Sequence, residues 1–117
     1  MKYLIMAFDR TEPGFPIFFW KPSGWGYTDN LLHAGRFSDT TIKQNPELYN
    51  NEETKAIEVD HVNFGHAFMG LVDTKRFILT DDKPVFEPVI YCTSDNLQFL
   101  GVLDDYIKYR KKRRREG

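Results

Sequence analysis

Apolar positions in this chain come in short blocks, and their spacing switches between strand-like and helix-like. Residues 2–8 form an apolar run of strand length that stops at Asp9, which predicts a first β-strand. Pro13-Gly14 marks a turn, because proline fixes φ and glycine accepts positive φ. Residues 16–20 then return as a second strand, antiparallel because the connection is short. Pro22, Gly24 and Gly26 make 21–26 a loop. Thr28 is placed to cap a helical turn over 29–34, closed by Gly35. Ser38 is a second cap, for a helix over 39–44 that Asn45-Pro46 ends. Residues 47–54 are polar and read as a surface loop.

The second half continues in the same manner. Residues 55–62 predict a strand with Ile57, Val59 and His61 on one face. Residues 67–72 and 76–80 flank Asp73-Thr74-Lys75 as a hairpin, and 85–92 is a further strand in which Pro88 argues for an edge or a bulge. Ser94 or Asp95 caps a final helix, with Leu97, Leu100, Leu103, Tyr106 and Ile107 at helical spacing and Phe99 and Val102 widening the stripe. The pattern predicts an α+β fold: a small, mainly antiparallel sheet, short helices after the aromatic loop, and a C-terminal helix packed on one face. Residues 1–107 are expected to form one domain, and 108–117 a basic tail continuing the last helix.

Composition adds three points. Aromatics make up 15% of the chain, with ten Phe, so the core is expected to be built from rings. The single cysteine, Cys92, excludes an internal disulfide and fits a reducing cytoplasm. No apolar run reaches the roughly 18–20 residues of a membrane span, and the first residues lack the pattern of a signal peptide. Charge is unevenly divided. Without the residues from Lys108 onward, nine cations face sixteen anions, so an acidic body of net −7 carries a basic end. Such asymmetry points to a polyanion partner for the tail, or to docking of the tail on the acidic body.

The segment from Phe18 to Phe37 concentrates aromatics, glycines and cations. Trp25 and Tyr27 offer flat faces, Lys21 and Arg36 can neutralise phosphate, and Thr28 opens a turn whose amides can meet an anion. These five residues form a candidate ligand site for a nucleotide-like molecule. The other reading makes Trp20, Tyr27, Leu31 and Phe37 core, with the glycines serving turn geometry. The glycine spacing matches neither a phosphate-binding P-loop nor a dinucleotide fingerprint. Phe19-Trp20-Lys21-Pro22, Gly26-Tyr27-Thr28, Leu31, Ala34-Gly35-Arg36-Phe37-Ser38, Asn51-Glu52-Glu53 and Ala56-Ile57-Glu58-Val59 together resemble a family of short phage, prophage and bacterial proteins. The departures are Phe19 and Phe37, where tryptophan and tyrosine are usual, and Pro46, which shortens the following helix. The resemblance implies a phage or bacterial cytoplasmic protein and brings no assigned activity with it.

Lys108, Arg110, Lys111, Lys112, Arg113, Arg114 and Arg115 form a candidate nucleic-acid contact, with Lys108, Lys112 and Arg115 along one side of a helix. The other reading is a solvated or self-docked helix end. His33, His61 and His66 have no ligand spacing, and no metal or cofactor is expected. Cys92 sits in an apolar run, and no Ser-His-Asp or Gly-x-Ser-x-Gly signature occurs. The favoured function is therefore non-catalytic binding, as a phage-encoded accessory protein that engages a host protein or a nucleotide-like ligand. Nucleic-acid binding through the tail is the alternative, and a small hydrolase a distant third.

Overall fold

A strand buried on both faces and bonded on both edges sets the frame. The computed structural model describes residues 2–59, 75–80 and 83–116, with side chains described for 2–59 and 88–114. Strand β1 (Lys2–Ala7) pairs antiparallel along its whole length with β5 (Thr54–Val59), from Lys2 opposite Val59 to Ala7 opposite Thr54. Its other edge is shared end to end. β2 (Phe19–Trp20) lies opposite Met6, and β4 (Phe37–Ser38) lies opposite Tyr3 and Lys2. β3 (Tyr27–Thr28) extends the sheet beyond β2. The Gly35 N–H donates to the Trp20 carbonyl at 2.8 Å and ties the β2 and β4 segments together.

Alternation along β1 sends side chains to two cores. Leu4, Met6 and Phe8 join Ile17, Phe19, Ile57 and Val59 under two helices, α3 (Ser94–Phe99) and α4 (Leu103–Glu116). Ile5 joins Tyr3, Trp20, Phe37 and Ala56 under α1 (Asp39–Gln44) and α2 (Pro46–Tyr49), which contribute Ile42 and Tyr49. The expected α+β architecture is present, with the C-terminal helix on one face and the short helices on the other. Among the described residues, no helix is long and apolar enough to cross a membrane.

Ser38 caps α1, its hydroxyl oxygen accepting the Thr41 N–H at 3.2 Å. Several elements differ from the sequence expectation. Residues 29–34 are not helical. The Thr28 hydroxyl accepts the Asn30 N–H at 3.1 Å, the Asn30 side chain accepts the Leu32 N–H at 2.9 Å, and the Leu31 N–H goes to the Pro88 carbonyl. Local side-chain acceptors hold this backbone in a turn. Within 47–54, α2 forms because proline is well suited to the first helical position, and Tyr49 is buried rather than in a loop.

Residues 16–20 and 85–92 each divide in two. Phe18–Trp20 joins β1, the Ala7 N–H donating to the Phe18 carbonyl at 2.9 Å, while 14–17 pairs with 90–92: the Ile17 N–H donates to the Ile90 carbonyl at 2.7 Å, and the Cys92 N–H to the Phe15 carbonyl at 2.8 Å. β7 (Lys83–Pro88) ends at the proline, which has no N–H to give a ladder, and pairs with β6 (Lys75–Thr80). The proposed hairpin partner 67–72, together with His61 and His66, lies outside the described residues.

The final helix is two helices. Thr93, not Ser94 or Asp95, caps α3 by accepting the Asn96 N–H. Gly101, at φ +76, then stops it. The Val102 N–H returns to the Leu97 carbonyl and the Gly101 N–H to the Gln98 carbonyl, both at 3.0 Å, the Schellman arrangement for which glycine is favoured. The break rotates the apolar stripe. Leu97, Val102, Tyr106 and Tyr109 are buried, whereas Phe99 and Ile107 are 54% and 41% exposed. α4 runs unbroken across residue 107, so the basic segment continues the last helix.

Thr11 joins the layers. Its buried hydroxyl donates to the Ala7 carbonyl at 2.7 Å and accepts the Phe18 N–H at 3.1 Å, and its carbonyl accepts the Tyr106 hydroxyl at 2.8 Å. Gly35 is needed for close approach: a Cβ there would stand 2.9 Å from the Phe37 ring and 2.9 Å from the Pro22 backbone nitrogen. Backbone cannot swing aside as a side chain can, so Gly35→Ala is expected to lower stability by about 1–3 kcal/mol. Chemical denaturation would show this as a lower midpoint at unchanged slope, and an unchanged midpoint would refute the packing account.

Candidate functional site

The aromatic loop is a braced hairpin. The Lys21 N–H donates to the Gly26 carbonyl at 2.8 Å and the Trp25 N–H to the Pro22 carbonyl at 3.2 Å. Ser23, Gly24 and Gly26 have φ of +57, +73 and +106, so the tip turns through the left-handed region that glycine accepts most easily. Trp25 stands out at 81% exposed. Lys21 is half-buried and Arg36 exposed, on backbone segments brought side by side by the Gly35–Trp20 bond. Tyr27 is 39% exposed, and the Arg10 guanidinium carbon lies 4.7 Å from its ring centroid, a cation–π contact absent from the sequence reading. Thr28 is buried, and its hydroxyl oxygen accepts the Asn30 N–H. Trp20, Leu31 and Phe37 are core or packed on it, as one reading had them; Tyr27 is not. Trp20, Phe37 and Tyr49 meet at centroid distances of 5.5–6.4 Å.

The second candidate is α4. Its inner face is fixed by rings: Tyr106 and Tyr109 pack on Phe8 at 5.6 and 5.8 Å. Charges flanking that face are partnered by the acidic body. Arg110 Nη1 lies 3.4 Å from Glu12 Oε2, Lys112 Nζ pairs with Glu52 Oε2, and Asp105 Oδ2 lies 3.5 Å from Lys55 Nζ. Lys108, Lys111, Arg113 and Arg114 are exposed and have no carboxylate partner among the described residues. Arg115 belongs to the helix, with its side chain outside those described. The row expected on Lys108, Lys112 and Arg115 is altered, because Lys112 turns to Glu52.

Two of the grooves along the helix also reach the body. One, of about 390 Å³, lies over Phe8 and Tyr109, between Glu52 and Glu53 of the body and Lys108, Lys112 and Arg113. The other, of about 260 Å³, has Pro13, Leu97, Leu103 and Ile107 beneath Arg110, Lys111 and Arg114. Sequence reasoning identified these cations by their run. It missed Arg10, Glu12 and Glu52, which look like ordinary turn residues.

Burial raises the Cys92 thiol above its ordinary pKa, so it stays protonated and is a poor nucleophile. Burial also raises Tyr106 and Tyr109, keeping both phenols neutral. Among the described residues, no three His, Cys, Asp or Glu side chains gather as metal ligands. Comparison with family models, with curated proteins and with solved structures yields no match to the chain.

The Lys112 hydrogen bond, and then its charge, hold the Glu52 carboxyl below its ordinary pKa. A lowered folded-state pKa means that the pair's contribution is present above the unfolded value and lost as pH falls through the folded one. In a carboxyl NMR titration, Lys112→Gln is expected to shift the Glu52 midpoint upward. A midpoint that does not move would show that the pair is not formed in solution.

Proposed function

We propose that this protein is a non-catalytic binding protein whose α4 contacts the phosphate backbone of a nucleic acid. One observation carries the reading: Lys108, Lys111, Arg113 and Arg114 stand exposed, with no carboxylate partner among the described residues, on a helix whose inner face is locked by Tyr106 and Tyr109. At a rise of about 1.5 Å per residue, Lys108, Lys111 and Arg114 are spaced roughly 4.5 Å along the axis. A single strand carries a phosphate every ~3.4 Å of duplex axis, within side-chain reach of that spacing. The acidic body repels a polyanion elsewhere and so favours approach along α4. The neutral, buried Cys92 thiol gives no support to a hydrolase.

Deleting everything beyond Ile107 would also take Tyr109 from the core, so charge-removing substitutions are the cleaner probe. The triple variant Lys108→Gln, Lys111→Gln, Arg114→Gln is expected to weaken binding to a labelled duplex. Its slope of log affinity against log salt should be shallower by about 2.7. Lys43→Gln, an exposed cation on α1 across the sheet, serves as the control and should change neither. Equal affinity and slope for the triple variant and the unmodified chain would defeat the proposal. The exposed Trp25 supports a second reading, in which the hairpin docks a host protein. A purified complex that survives the triple variant and is lost in Trp25→Ala would favour it.

A further inference from the structure

The contact between Arg10 and Tyr27 lies where the helix and the aromatic loop meet the end of the sheet. Phe8–Arg10 is a 3-10 turn leaving β1. Its first residue, Phe8, is covered by Tyr106 and Tyr109 and lines the same groove as Arg113. Its last, Arg10, lies over Tyr27. Tyr27 is opposite Trp20 in the sheet, so the two share the face turned away from α4. The turn therefore leads from the α4 side round the sheet end to the Tyr27 side, with Asp9 and Arg10 as its charged residues.

Arg10 is held in place. Its guanidinium carbon lies over the Tyr27 ring, 4.7 Å from the centroid, and Asp9 Oδ2 lies 4.0 Å from its Nε. Its side chain nevertheless keeps 58% of its surface exposed. A planar cation fixed against a ring is a stacking platform for an unpaired base. Paired bases in a duplex have no face to offer it. A duplex is also too stiff, with a persistence length of about 150 base pairs, to follow α4 and then turn the corner to Arg10. A single strand can do both.

We infer that the nucleic acid held by α4 is single-stranded, with its backbone along Lys108, Lys111 and Arg114 and an unpaired base stacked on Arg10 above Tyr27. This rests on the α4 reading and narrows it to one substrate class. Base stacking on such platforms is sequence-tolerant, so little base preference follows.

The test compares the full-length chain and its variants, by fluorescence anisotropy, on an oligothymidylate of about 15 nucleotides and a duplex of equal length. The unmodified chain should bind the single strand more tightly. Arg10→Lys keeps the charge and loses the plane, so it should weaken single-strand binding about fivefold or more while leaving the duplex unchanged. Tyr27→Ala should act in the same direction, and circular dichroism checks that each variant is folded. No single-strand preference, or an Arg10→Lys effect that is absent or equal on both probes, overturns the inference. If the Lys108, Lys111 and Arg114 variant still weakens both probes in that case, the α4 reading stands without it. If the triple variant changes neither probe, both fall.

Discussion

Everything in this fold is arranged around a strand whose last four residues have no access to water. Leu4, Ile5, Met6 and Ala7 are fully buried, and β1 has neighbours along both edges. A strand in that position must be apolar on both faces and must find layers to cover each. The short helices α1 and α2 cover one face with Ile42 and Tyr49, and α3 and α4 cover the other. Since β5 fills one edge completely, β2 and β4 have to divide the other, and only a residue without a side chain fits where they meet. That is the position of Gly35.

The strand was legible because its apolar run is unbroken and bounded by charge. So was the Ser38 cap, which needs only local chemistry. What escaped the sequence depended on distant partners or on competition between local ones. Residues 29–34 carry helix-compatible spacing, but Thr28 and Asn30 capture the amides that a helix would use. The split of 16–20 arises because 90–92 takes half of that segment, a pairing between stretches more than seventy residues apart that no local pattern encodes. Gly101 was in plain view as a helix stop, yet the apolar spacing ran past it, and that spacing placed Ile107 inside where Tyr109 belongs. Tyr109 was hidden by its setting, a lone ring within a basic run.

The candidate site shows the same division. The cations of α4 could be counted from the sequence, but which of them the body neutralises could not. Arg110 meets Glu12 and Lys112 meets Glu52 only after the chain has folded back on itself. The result is a helix sorted by charge environment: tyrosines inward, cations with carboxylate partners at the flanks, and exposed cations that have none among the described residues. Exposed pairs of this kind add little stability, with a median of about 0–1 kcal/mol each. Their effect is to decide which positive charges remain on offer. Arg10 completes the pattern, because its neighbours Asp9 and Tyr27 orient it without neutralising its open side.

The bond from the Tyr106 hydroxyl to the Thr11 carbonyl spans 95 residues. At a translation rate of about 5–20 residues per second, the apolar face of β1 emerges from the ribosome roughly 5–20 s before its cover. During that interval Leu4, Met6 and Phe8 have no lid, and the growing chain is a client for whatever shields nascent hydrophobic surface. Completion of the α3–α4 face is thus a late step in the birth of the molecule, and an interrupted ribosome would leave behind a sheet with one side bare.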